Sequence, residues 1–126
     1  MKLNLKILVL SSIILLIIDL TYLSFIGKYY GKMIKEIQGS EMNTKKIPAA
    51  ICYLLLIISV NYFILHDTKR GYLDAFILGF VIYGVFDSTN QAIIKKWNPY
   101  LSIIDTIWGG ILMTLTTFIT LKVFPR

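Results

Sequence analysis

Four mostly apolar runs, each long enough to cross a lipid bilayer, constrain this chain more than any other feature. They cover residues 7–27, 47–65, 72–94 and 101–121 of a 126-residue sequence. A helix needs about 20 mostly apolar residues to traverse the hydrocarbon core. Valine and isoleucine are plentiful, but the runs lack two-residue alternation and are too long for strands. Lipid offers no partner to an unpaired backbone group, so the spacing predicts helices. The predicted fold is all-α, an integral membrane antiparallel four-helix bundle forming a single membrane domain over 1–126. Composition agrees: 56% of residues are hydrophobic and 16% charged, against about 45–50% and a quarter in soluble domains. Soluble globular and disordered classes are excluded.

The punctuation between runs supports the same division. Pro48 suits the first turn of a second helix, where its missing N–H costs little. Asn98-Pro99 breaks the chain before the fourth. The short links 66–71 and 95–100 predict antiparallel hairpins between helices two and three and between three and four. Lys2 and Lys6 ahead of an apolar run imitate a secretory signal, but the run continues through Asp19 to Gly27 with no small-x-small site. It reads as an uncleaved anchor. The longest link, 28–46, carries Tyr30, Met33, Ile34 and Ile37 at helical spacing. Two readings stay open: a short amphipathic helix on the membrane surface, or an extension of the first helix. Gly39-Ser40 ends either.

Four spans put both ends of the chain on one side. That side carries Lys2, Lys6, Lys69, Arg70, Lys122 and Arg126, and the other carries Lys28, Lys32, Lys35, Lys45, Lys46, Lys95 and Lys96. Such an even split leaves orientation undetermined, and the sequence names no particular membrane. The net charge of +6 sits between apolar spans, which makes membrane lipids the expected partner rather than nucleic acid. The single cysteine, Cys52, rules out an internal disulfide and reads as a small buried hydrophobe. The lone His66 cannot nucleate a metal cluster. No metal site and no cofactor is expected.

Acids inside the spans are the most informative residues, because a charge near the bilayer centre costs about 2.5–3.5 kcal/mol or more. At 1.5 Å per residue, Asp19 lies about 12 Å before the end of the first span, Asp87 about 10 Å before the end of the third, and Asp105 about 6 Å into the fourth. All three distances are measured from the side holding the 28–46 link, so the three carboxyls share a depth. Asp74 lies near the opposite surface, within reach of Lys69 or Arg70. Tyr83 and Asn90 share a helix face with Asp87, Tyr22 with Asp19, and Trp108 with Asp105. The candidate ligand- or proton-binding residues are therefore Asp19, Tyr22, Tyr83, Asp87, Asn90, Asp105 and Trp108, with the acids, Asn90 and Trp108 facing inward. Gly79, Gly84 and Gly109-Gly110 would let helices approach closely. By position near the span end, Tyr22 with Tyr29-Tyr30 reads as part of an aromatic belt at the interface.

Two explanations of the acids compete. They cross-link helices through hydrogen bonds, or they line a polar pocket for a cation, a proton or a lipid headgroup. With no deep lysine or arginine to neutralise them, they either share protons as a coupled group or are reached by Lys28, Lys95 or Lys96. No phosphate-cradling glycine loop, HExxH, Cys/His set or serine-centred elbow is present.

The segments Asp19-Leu20-Thr21-Tyr22-Leu23, Pro48-Ala49-Ala50, Tyr53-Leu54-Leu55, Tyr83, Asp87-Ser88-Thr89-Asn90, Trp97 and Asp105-Thr106-Ile107-Trp108-Gly109 form a specific pattern. Over nearly its whole length the chain resembles a family of small four-span membrane proteins catalogued as a domain of unknown function (family two-one-seven-seven). That family typically has Asp-Leu-x-Trp-Leu in helix one and Tyr-Asp-Leu-Thr-Asn in helix three. Here Tyr22 takes the tryptophan position, Phe86 precedes Asp87 and Ser88 follows it. The resemblance implies the fold and the polar constellation and supplies no reaction. Three functions follow. The first is a transporter- or channel-like protein for a proton, cation or small cationic solute, with a homodimer implied by the small volume four helices enclose. The second is a lipid-handling enzyme or accessory protein, and the third a structural subunit of a membrane complex.

Overall fold

In the computed structural model, which describes residues 2–126, the chain forms four helices and, among the described residues, no strand. Helix α1 spans Leu5–Gln38, α2 Lys46–Val60 with a π-helical continuation over Asn61–Leu65, α3 Tyr72–Ile93 and α4 Pro99–Val123. All four are long and apolar enough to cross a membrane. Local chemistry sets their starts. The Asn4 side chain accepts from the N–H groups of Lys6 and Ile7, and Asn98 does the same for Tyr100 and Leu101 ahead of Pro99. The Asp74 carboxylate accepts the Gly71 N–H at 2.8 Å where α3 begins. Arg70 lies 3.6 Å from both Asp74 and Asp67.

The 28–46 link resolves in favour of the extension. Helix α1 runs 34 residues, about 51 Å, and stops where Gly39 adopts φ 76° and donates its N–H to Lys35. The apolar stripe of this extension meets protein rather than the membrane surface. Met33 is buried with Trp97 and Leu101, and Tyr30, Ile34, Ile37 and Ile94 pack around them. Met33 Sδ also accepts the Asn98 N–H. The far end of α1 thus clamps the link between α3 and α4.

Helix α4 is the hub. Its buried residues run from Leu101 through Asp105, Gly109, Leu112 and Met113 to Thr120. The tightest packing is α3 on α4. A Cβ on Gly79 would lie 1.9 Å from the Gly109 carbonyl oxygen, and one on Gly109 would lie 2.4 Å from the Tyr83 ring. Helix α1 packs on α4 and on α2, whereas the consecutive pair α2 and α3 makes no comparable backbone contact. The short link 66–71 turns the chain back from α2 into α3 as expected, but the close backbone approach of α3 is to α4. Close backbone approach needs small residues on both sides, and α3 finds them in α4.

Outward-facing side chains are large and apolar on every helix, among them Ile17, Leu54, Val85 and Ile107, as a lipid-solvated bundle requires. Cys52 is among the outward-facing residues. The expected buried position is corrected, because α2 turns its Tyr53 face to α1. Towards the end that carries the chain termini, Asn61 Nδ2 donates to Ser11 Oγ at 3.0 Å and to the Ile57 carbonyl at 2.9 Å, tying α2 to α1 at the start of the π turn. The side chain competes there with the helical ladder. The His66 N–H reaches back to Asn61 O, and His66 Nε2 accepts the Asn4 N–H, joining the two ends of the α1–α2 pair.

Candidate functional site

The three intramembrane acids converge at one level of the bundle. Asp19 is 5% exposed, Asp87 1% and Asp105 8%. Asp19 on α1 bonds to Trp108 on α4, and Asp87 on α3 stands next to Asp105 on α4. Within this layer the acids divide into two environments.

Asp19 is fully engaged. Its Oδ2 accepts the Tyr53 hydroxyl at 2.6 Å, and its Oδ1 accepts the Trp108 indole N–H at 2.9 Å. One carboxyl thereby ties α1 to both α2 and α4. The Trp108 ring is held by Tyr22, stacked at 4.3 Å between centroids and 5° between planes. Tyr22 is therefore an internal aromatic and not part of an interfacial belt. Tyr30 is likewise turned inward, donating its hydroxyl to the Leu101 carbonyl at 3.3 Å, whereas Tyr29 points outward.

Asp87 and Asp105 form the second environment. They are neighbours of each other, with Tyr30 beside Asp105 and Trp97 beside Asp87. Both carboxyl oxygens of Asp87 are buried and without a hydrogen-bond partner, as are the Trp97 indole nitrogen and the Tyr22 hydroxyl. Buried polar groups are paired in the great majority of cases, so this concentration of unpaired donors and acceptors is unusual. Among the described residues the ion pairs are Lys35–Glu41 and those of Arg70 with Asp67 and Asp74. None involves Asp19, Asp87 or Asp105, so Lys28, Lys95 and Lys96 do not neutralise them.

A groove of about 600 Å³ opens sideways between α3 and α4 beside this pair. Phe80, Ile103 and Ile107 give it apolar walls, Ser88, Gln91, Ser102 and Thr106 give it hydroxyl and amide groups, and its inner wall includes Asp87. The Gln91 amide donates to the Trp97 carbonyl at 3.1 Å and accepts from Ser102 at 3.3 Å, bracing the mouth. Among the described residues no grouping of three or more His, Cys, Asp and Glu could hold a metal ion.

Asp19, Tyr22, Tyr83, Asp87, Asp105 and Trp108 thus meet in one layer, with Tyr83 against Gly109. Asn90 does not join a bonded network: it is half-buried, and its part in the hydrogen-bond pattern is a backbone one, accepting from Ile94. Trp108 belongs to Asp19 rather than to Asp87. Three members of the layer, Tyr53, Tyr30 and Trp97, are absent from the sequence-derived set. Tyr53 was detectable, because it lies about 10 Å into α2, near the depth of Asp19. Nothing local distinguishes Tyr30 or Trp97 from interfacial aromatics.

Residues 4–122 match the family described as Predicted membrane protein (DUF2177). No curated protein and no solved structure matches the chain. With nearly the whole chain covered and four spanning helices present, the protein belongs to this family and is an integral, multi-pass membrane protein.

Proposed function

For this member of the predicted membrane protein family, we propose that Asp87 and Asp105 form a proton-linked binding site for an amphiphile with a cationic head group, entered from the membrane between α3 and α4. The observation that carries the proposal is that Asp87, whose two buried oxygens make no well-formed hydrogen bond, lines a lateral groove. Two adjacent carboxyls without a base among their partners hold a shared proton at least cost. An arriving cation replaces that proton and supplies the missing partner, while its apolar part lies on Phe80, Ile103 and Ile107. Proton exchange against a cation is the elementary step of a transporter-like protein. The sideways opening favours a ligand that partitions into lipid over a fully aqueous solute.

Ethidium, an amphiphilic cation, is a suitable probe. Its fluorescence anisotropy in detergent micelles should report saturable binding that releases a proton to a pH indicator. Asp87→Asn and Asp105→Asn should each weaken binding at least tenfold and abolish the proton signal. Equal binding by wild type and the double variant would falsify the proposal.

A further inference from the structure

A second groove lies at the opposite end of the bundle, where α1 begins. It has a volume of about 440 Å³ and is lined by Leu5, Lys6, Val9, Leu10, Ile13 and Phe124. All but Lys6 are apolar. The groove follows α1 from Leu5 to Ile13, a rise of about 12 Å, from the helix start into the hydrocarbon region. Lys6 stands at its outer end, with its ammonium 6.0 Å from the centre of the Phe124 ring.

Among the described residues the lysine side chains beside this groove have no ion-pair partner. The first turn of α1 contains no acidic residue, although a helix N-terminus is the positive end of the backbone dipole and favours an anion. Lys6 adds a full positive charge in that same turn. The two acids near this surface, Asp67 and Asp74, are both taken by Arg70. Lys122, in the last turn of α4, is two residues from the groove wall at Phe124. Among the described residues neither Lys6 nor Lys122 makes an ion pair.

We propose that this groove is a binding site for one anionic phospholipid. The phosphate sits on the Lys6 ammonium at the positive end of α1, and an acyl chain lies along Leu5, Val9, Leu10 and Ile13 against Phe124. Charge complementarity selects the occupant. A zwitterionic lipid brings its own cation to a place that already holds an unpaired lysine and a helix N-terminus, whereas a phosphatidylglycerol brings net negative charge. The site is separate from the acid layer, lying at the other end of the same helix.

Native mass spectrometry of the intact protein, released from micelles containing equal amounts of phosphatidylglycerol and phosphatidylcholine, tests the assignment. One phosphatidylglycerol should be retained in clear preference to phosphatidylcholine, and the preference should shrink as salt rises. Lys6→Gln should reduce phosphatidylglycerol retention about fivefold, the effect of one lysine at an anionic surface, without altering the melting temperature. Val9→Trp, which fills the groove and leaves the charge, should displace the same lipid. Equal retention of the two lipids by wild type would overturn the proposal. So would phosphatidylglycerol retention unchanged in both variants.

Discussion

Asp19 and Asp87 are the same residue type, at nearly the same depth and almost equally hidden, yet their surroundings treat them in opposite ways. Asp19 receives a donor on each oxygen, from Tyr53 and Trp108. Asp87 receives no well-formed hydrogen bond on either oxygen, and a second carboxyl, Asp105, and the Trp97 indole stand beside it. The first arrangement is that of a structural cross-link, satisfied within the chain. The second leaves two buried oxygens without a well-formed bond, which is the arrangement the proposed site rests on. Burial and depth alone would class the two residues together, and it is the count of hydrogen-bond partners that separates cohesion from a candidate site.

The largest expected effect comes from breaking the frame that holds both environments. Gly79→Ala forces a Cβ against the Gly109 backbone, and backbone cannot move aside as a flexible side chain can. Stability should fall by about 3 kcal/mol or more, at or above the top of the overpacking range, measured by reversible unfolding in micelles. Because α4 carries both Asp105 and Trp108, ethidium binding and the Asp19 cross-link should fail together. A Gly79→Ala protein with wild-type stability would show that α3 and α4 do not meet backbone to backbone.

Removing the satisfied acid should come next. Asp19→Leu leaves the Tyr53 hydroxyl and the Trp108 indole without their acceptor, at about 2–4 kcal/mol for the two together. Asp19→Asn should recover part of that loss, since its amide oxygen still accepts one bond. The same unfolding measurement applies, and a Leu variant as stable as wild type would remove the contrast with Asp87.

Asp87→Leu should keep stability within about 1 kcal/mol of wild type or raise it, since no well-formed hydrogen bond ends on this carboxyl and a buried polar group leaves the core. Its cost should appear instead as lost cation binding. Should Asp87→Leu unfold the protein as readily as Asp19→Leu, the acid pair is structural and the two regions are alike.

The smallest effect is a matched pair of hydroxyl deletions. Tyr53→Phe should lower stability by about 1–2 kcal/mol, through loss of its bond to Asp19. Tyr22→Phe, which keeps the stack on Trp108 and deletes a hydroxyl that has no partner, should be neutral within about 0.5 kcal/mol. Thermal melts of the two single variants, side by side, sharpen the comparison to one oxygen atom each.

Much of this was legible from residues alone. Four runs of spanning length produced four helices, and their counted distances brought Asp19, Asp87 and Asp105 to one level. The glycines at 79 and 109 marked where helices approach. The fate of Tyr30, Met33, Ile34 and Ile37 was not legible, because an apolar stripe at helical spacing looks the same whether it lies on lipid or on Trp97 and Leu101. Cys52 and Tyr53 are adjacent, and nothing local tells which of them turns towards α1. Tyr22 and Trp97 likewise carry no local mark that separates an interior aromatic from one in a membrane belt.

The sequence by itself determined which segments cross the membrane, that they are helical, and how deep each acid lies. Those properties are sums along one segment: the transfer of each residue into lipid, the rise of 1.5 Å per residue, and the obligation of every backbone group to find a partner within its own helix. Only the tertiary structure decided that α3 leans on α4 rather than on α2, that Asp19 takes the Tyr53 and Trp108 donors, and that Asp87 is left with a neighbouring acid. These depend on how far each helix is rotated about its axis. In water an apolar stripe would set that rotation, but lipid is as apolar as the core, and these helices carry large apolar side chains on their outer faces as well. Rotation is then set by where backbones can touch, as at Gly79 and Gly109, and by which buried polar atoms find one another across helices.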